Sequence, residues 1–110
     1  MKVKIFQINS DRDHNRVKFM GRNFTESLGG IDAKAYDLVF DGHVSAGDLE
    51  EVYTIFNIYK PDEYTGHSLS VSDVVVNEDG CWFCDSFGFS KIDGDAAAVF
   101  GGVADAESEN

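Results

Sequence analysis

Two cysteines with two residues between them are the first feature of this sequence that suggests a chemistry. Cys81 and Cys84 have the spacing of half a zinc site. A structural site would need two more ligands, and the candidates are His43, His67, Asp73 and Asp85. Side chains three residues apart in a strand point to opposite faces, so a shared ion would require a bend near Gly80. Two interpretations stay open, a zinc site that uses Cys81, Cys84 and His67, or two buried thiols, and the second is favoured.

The same region contains the residue types of a cysteine nucleophile. Cys84 could act with His67 and Asp73, but no nucleophile-elbow glycine pattern surrounds Cys84 and no oxyanion donor can be identified. A structural network of short polar side chains that hydrogen-bond loop backbone is the favoured interpretation. Its predicted members are His67, Ser70, Asp73 and Asp85. We therefore predict that the protein is not an enzyme.

Acidic residues dominate the chain and are unevenly distributed. The formal net charge is −11, from 20 acidic and 9 basic residues. Residues 1–34 hold seven basic and four acidic residues, whereas residues 35–110 hold two basic and sixteen acidic residues. Direct nucleic-acid binding is disfavoured, because phosphate contacts need clustered Lys and Arg. The charge indicates either solubility alone or an acidic face that meets a protein partner with a basic surface.

The densest acidic run shows where such a contact face would lie. Its members are Asp37, Asp41, Asp48, Glu50, Glu51, Asp62 and Glu63. Charge runs are usually solvated surface, but complementary charge also raises association rates between proteins. The sequence leaves both interpretations open.

A hairpin is expected to position most of these side chains. Residues 66–76 form a β-branched run, residues 77–80 a polar turn, and residues 84–89 an aromatic run, which together are typical of a β-hairpin. We expect this hairpin at the centre of the fold. Asp73 would then lie on a strand face and need a hydrogen-bond partner if buried, and Phe87 and Phe89 would share a face in the core.

The other elements complete an α+β domain. Residues 2–8 and 36–41 alternate like strands, with Val3, Ile5 and Gln7 on one face of the first. A capping box at residues 45–48 precedes a helix over residues 48–58, whose apolar face carries Leu49, Val52, Tyr53 and Phe56. We predict an antiparallel or mixed sheet of about five strands, with one or two helices packed on one face. The domain would span residues 1–93, and residues 94–110 would form a flexible acidic tail, whose Val99 and Phe100 could dock on the domain.

The compartment follows from patterns of hydropathy. The chain has no long apolar run that could span a membrane, and its first residues alternate as a strand does, unlike a signal peptide. We therefore predict a location in the cytoplasm, where cysteines are usually thiols. The oligomeric state is not predicted.

Two segments carry a family resemblance. Residues 66–75 and 84–89, with weaker matches at residues 36–42 and 49–57, resemble the YodL-like domain family, and together they cover about residues 2–93. The resemblance implies an origin in a plasmid, phage or conjugative element of Gram-positive bacteria, and it implies no reaction. By analogy alone, a short acidic protein of such an element is similar to anti-CRISPR and anti-restriction proteins.

These observations favour one function and leave a second open. The first is a small acidic binding protein of a mobile genetic element that antagonises a host defence nuclease, such as a CRISPR effector, by binding a basic surface. The alternative is a non-inhibitory accessory domain in plasmid or phage maintenance. An enzyme that uses Cys84 and His67 is the least favoured interpretation.

Overall fold

Five strands form one antiparallel sheet in this computed structural model, which describes residues 1–102. In chain order they are β1 (Lys2–Ile8), β2 (Tyr36–His43), β3 (Val74–Asn77), β4 (Gly80–Cys84) and β5 (Phe89–Ile92). They lie side by side in the order β2-β1-β3-β4-β5, and each neighbouring pair is antiparallel. The predicted α+β class is confirmed, and the hairpin of β3 and β4 places β3 in the middle of the sheet.

Three short helices accompany the sheet. They are α1 (Arg22–Ser27), α2 (Leu49–Ile58) and α3 (Gly94–Ala97), and α3 continues into a π-helical turn at Ala98–Gly102. Single 3-10 turns occur at Ser10–Arg12 and Ala33–Ala35. Within residues 1–102, none of the helices has the length and apolar character needed to cross a membrane.

The start of α2 corrects the predicted capping box. The Asp48 side chain accepts a hydrogen bond from the Glu51 N–H at 2.8 Å, and the Glu51 carboxylate accepts one from the Gly47 N–H at 3.3 Å. The box therefore spans residues 48–51, because Asp48 is its first member and not its last.

The inward side chains of β1 and the apolar face of α2 form one half of the core. Val3 and Ile5 pack with Val52 and Phe56, all at most 1% exposed, and full burial of each such side chain contributes about 1.5–3 kcal/mol. Tyr53, predicted for the same helix face, is 43% exposed, because it lies beside the groove described below.

The C-terminal segment covers the opposite face of the sheet. Phe100 is 3% exposed and packs with a cluster that includes Val74 and Phe83. Its ring meets those of Phe6 and Tyr36 edge-on, with centroids 5.1 and 5.0 Å apart. Residues 94–102 thus supply a second covering layer, in which Phe100 docks on the sheet and Val99 is 56% exposed. Of the predicted tail, residues 103–110 lie outside the part that the structure describes.

Both predicted runs of the hairpin are shorter as strands than expected. Residues 66–73 form a loop, so β3 begins only at Val74. The second run turns sharply after β4, where the Asp85 N–H donates to the Gly88 carbonyl at 2.9 Å and Gly88 has a φ of +71°. Phe87 occupies this turn and is 97% exposed, so its predicted place in the core is wrong.

Candidate binding site

Gln7 fastens the loop of residues 66–73 to the sheet. It is the third inward-facing residue of β1 and is 4% exposed. Its Nε2 lies 3.0 Å from Asp73 Oδ2 and 2.9 Å from the His67 carbonyl, while its Oε1 accepts the His67 N–H at 3.1 Å. The Tyr64 hydroxyl, 2.8 Å from Nε2, closes the cluster. A buried amide whose donors and acceptor are used in this way rigidifies the loop.

Asp73 is the acidic member of this cluster and is 1% exposed. Its Oδ2 accepts the Ser70 N–H at 2.8 Å in addition to the Gln7 amide. Burial nevertheless raises the pKa of the Asp73 carboxyl to about 7, against the lowering effect of these two hydrogen bonds and of Lys18. The loop thus encloses a carboxyl group that changes charge near neutral pH.

The imidazole of His67 is oriented by its own loop. Its Nδ1 lies 2.7 Å from the Ser68 carbonyl and 3.2 Å from Gln7 Nε2, and its ring lies 5.2 Å from the ring of Phe19. Nε2 is buried and has no hydrogen-bond partner among residues 1–102. Of the four predicted network members, the structure brings together His67, Ser70 and Asp73.

The fourth predicted member, Asp85, lies elsewhere. Its Oδ1 accepts the Arg22 N–H at 3.2 Å and the Ser86 N–H at 2.8 Å. It therefore holds the turn between β4 and β5 against the first turn of α1, and it takes no part in the Gln7 cluster.

The two cysteine side chains are buried on opposite faces of β4. Cys81 Sγ lies 3.5 Å from the Ala97 carbonyl, on the face that the C-terminal segment covers, whereas Cys84 lies beside Tyr53 of α2. Burial, and then the charges of Asp73 and Asp85, raise the pKa of the Cys84 thiol to about 12, so it is protonated and weakly nucleophilic at neutral pH.

The candidate zinc site therefore lacks a set of ligands in one place. The sulfurs of Cys81 and Cys84 face different layers, and His67 belongs to the loop cluster. Within residues 1–102, no three His, Cys, Asp or Glu side chains are grouped so that they could hold a metal ion.

The predicted acidic contact residues are divided between two regions. Five are exposed around α2, namely Asp48, Glu50, Glu51, Asp62 and Glu63. Asp37 instead pairs with Arg12, whose hydrogen bond lowers the pKa of that carboxyl, and Asp41 lies opposite Lys4 in the pairing of β1 with β2. Among the described residues, Asp37 is thus the member of the predicted face that has an ion pair, whereas Asp41 and the five acids around α2 have none.

A groove of about 310 Å³ separates α2 from the turn between β4 and β5. Glu50 and Tyr53 line it from the helix, Asp85 and Phe89 from the turn and strand, and Cys84 from beneath. The sequence did not predict this groove, because its two walls come from segments about thirty residues apart. The one available signal was an aspartate followed three residues later by glycine, which is typical of a turn.

A comparison with models of protein families shows to which family this chain belongs. The model of the YodL-like domain matches residues 2–94. This chain belongs to the YodL-like domain family. Comparisons with curated proteins and with solved structures gave no match. The YodL-like domain thus includes the whole sheet, the Gln7 cluster and the groove, and the match ends where α3 begins.

Gly66 is expected to be essential for the packing of the Gln7 cluster in this YodL-like domain. A Cβ at this position would lie 2.2 Å from Gln7 Oε1 and 3.1 Å from the Cβ of Val39. Since Gln7 is held by several hydrogen bonds, Gly66→Ala should destabilise the fold by about 1–3 kcal/mol, the usual cost of overpacking. This loss of stability can be measured by urea unfolding, with Trp82 fluorescence as the signal.

The matched control is Gly47→Ala. There the added Cβ would meet only the end of the flexible Glu51 side chain, at 3.1 Å. Equal midpoints for the two variants would show that Gln7 moves aside without cost, and would contradict a rigid cluster.

Proposed function

We propose that this YodL-like domain is a non-enzymatic binding protein of a mobile genetic element, and that it antagonises a host defence nuclease. Its acidic surface around α2 meets a basic surface of that nuclease, which is a CRISPR effector. It makes no direct contact with nucleic acid, it acts in the cytoplasm of the bacterial host, and it needs no zinc.

One observation carries the proposal, which is that the acids around α2 lack cationic partners within the domain. Among residues 1–102 the ion pairs are Arg12–Asp37 and Arg22–Glu26, and neither involves α2 or the loop after it. Unneutralised carboxylates on one side of a protein steer a basic partner toward that side and raise its association rate. A nuclease that binds phosphate backbones carries such a basic surface.

The test is a charge-neutralised variant with Glu50→Gln, Glu51→Gln, Asp62→Asn and Glu63→Gln. Glutamine at position 51 can still accept the Gly47 hydrogen bond, so the start of α2 is retained. We expect affinity for the purified CRISPR effector nuclease of the host to fall about ten- to hundredfold, since each exposed ion pair contributes about 0.2–1 kcal/mol. Binding of the unmodified protein should also weaken steeply between low and physiological salt.

The matched control neutralises four exposed acids away from α2, with Asp11→Asn, Asp32→Asn, Asp93→Asn and Asp95→Asn. It has the same net charge as the test variant and should keep nearly full affinity and full inhibition of DNA cleavage. Equal losses of affinity in both variants would show that binding depends on the net charge of the domain and not on the face around α2. Capture of proteins of the mobile element, with target cleavage unchanged, would favour the accessory role in plasmid or phage maintenance.

A further inference from the structure

The groove between α2 and the turn of residues 85–88 has the composition of a site for a cation. Glu50 stands on one wall and Asp85 on the other. Neither forms an ion pair with any residue that the structure describes. Arg22 donates its backbone N–H to Asp85, but its guanidinium turns away, to Ser90 Oγ at 3.0 Å and the Lys91 carbonyl at 3.2 Å. The two carboxylates thus line the groove without a neutralising cation, and the Oδ1 atom of Asp85 also accepts the Arg22 and Ser86 backbone N–H groups.

Aromatic rings line the same groove. Tyr53 lies beside Glu50 on α2 and is 43% exposed, and Phe89 contributes from the start of β5. A guanidinium is planar, stacks on aromatic faces and pairs with carboxylates through two parallel hydrogen bonds, whereas an ammonium is a compact, strongly hydrated charge. Two carboxylates beside two aromatic rings therefore suit arginine better than lysine.

The size of the groove limits the ligand to one side chain. Its volume of about 310 Å³ is at the lower end of the range of small-ligand pockets, about 300–1,000 Å³. Phe87 lies in the turn between the lining residues Ser86 and Gly88 and is 97% exposed. Such exposure is unusual for a large aromatic side chain and is typical of an interface anchor. The neighbouring backbone of a partner could pack on this ring while its side chain enters the groove.

We propose that this groove captures a single arginine side chain of the protein partner, held between Glu50 and Asp85 and stacked on Tyr53. The inference rests on the proposed function for its partner, but it concerns one defined position. Such a site makes binding by the acidic surface specific, because the groove determines where the basic partner is anchored.

The experiment uses the full chain and the peptide acetyl-Gly-Arg-Gly-amide, followed by shifts of backbone amide signals in two-dimensional NMR. We expect saturable shifts at Tyr53, Cys84 and Ser86, and weaker binding of the corresponding lysine peptide. Glu50→Gln removes one charge-assisted hydrogen bond acceptor and should weaken arginine binding about tenfold. Tyr53→Leu should reduce the preference for arginine over lysine.

The matched control is Asp11→Asn, which removes an exposed carboxylate outside the groove lining and outside the acidic face, and it should leave the peptide affinity unchanged. Shifts spread over the whole surface, or equal losses in Glu50→Gln and Asp11→Asn, would overturn the groove site. So would equal affinity for arginine and lysine peptides. Because no nuclease is present, these results are independent of the nuclease assay, so either proposal can fail while the other stands.

Discussion

Raising the pH from about 4 to 7 should lower the free energy of unfolding of this YodL-like domain through Asp73. The pKa of this carboxyl is about 7 in the folded protein and 3.8 in the reference state. Between these values the folded state holds a proton that the unfolded state has lost, so the contribution of Asp73 falls with rising pH. At about 1.4 kcal/mol per pH unit, the loss is on the order of 4 kcal/mol, and it is complete above pH 7.

Burial causes the pKa of Asp73 to rise, and the neighbouring groups determine how large the rise is. Desolvation is the largest cause of the raised pKa, and only Lys18 lowers it by its charge. Burial, and then the charge of Asp73, raise the pKa of three neighbouring groups, the hydroxyls of Tyr36 and Tyr64 and the thiol of Cys84. All three are neutral at pH 7, so none supplies a compensating positive charge.

Asp73→Asn isolates this effect, because an asparagine oxygen can accept the same hydrogen bonds from Ser70 and Gln7 while carrying no charge. Urea unfolding at several pH values should give similar stabilities for the two proteins near pH 4. The variant should become progressively more stable than the unmodified protein up to pH 7. Parallel curves would show that Asp73 is ionised throughout, with its hydrogen bonds outweighing burial.

The strands and the main helix could be predicted where local pattern and tertiary structure agree. The alternation of β1 and the spacing of Val52 and Phe56 on α2 express burial directly. The prediction failed where a contact between residues distant in the sequence determines the backbone conformation. Residues 66–73 have the composition of a strand, but the Asp73 side chain accepts the Ser70 N–H and Gln7 reaches across from β1. Short polar side chains compete with sheet pairing in this way, and the partner was sixty-six residues away.

The sequence predicted several residues of the candidate site, but not how these residues contact one another. His67, Ser70 and Asp73 were predicted to form a polar network, whereas Gln7 was placed on the inner face of β1 without a partner. A glutamine among inward-facing Val3 and Ile5 was a signal, since a buried amide requires hydrogen bonds. The groove had no comparable signal, because Tyr53 and Phe89 read as core residues in the helix and strand patterns.

Phe100→Ala should destabilise the domain by about 3–5 kcal/mol, the usual cost of removing a buried phenylalanine side chain. Phe100 lies six residues beyond the end of the family match, yet it fills the face of the sheet opposite α2 and contacts Phe6 and Tyr36. The backbone around it is closely packed as well, since a Cβ added at Gly101 would lie 3.1 Å from Cys81 Sγ. The segment up to residue 101 is therefore packed against the same sheet as the matched domain.

Val99→Ala is the matched control for this prediction. Val99 precedes Phe100 in the same turn but is 56% exposed, so its truncation should change the free energy of unfolding by less than about 0.5 kcal/mol. Urea unfolding followed by Trp82 fluorescence compares the two variants under identical conditions. If both variants matched the unmodified protein, the segment after β5 would contribute nothing to the core. A large loss for Phe100→Ala alone would mean that shortened versions cut at residue 93 expose Val74 and Phe83, and binding assays on such versions would report a damaged sheet.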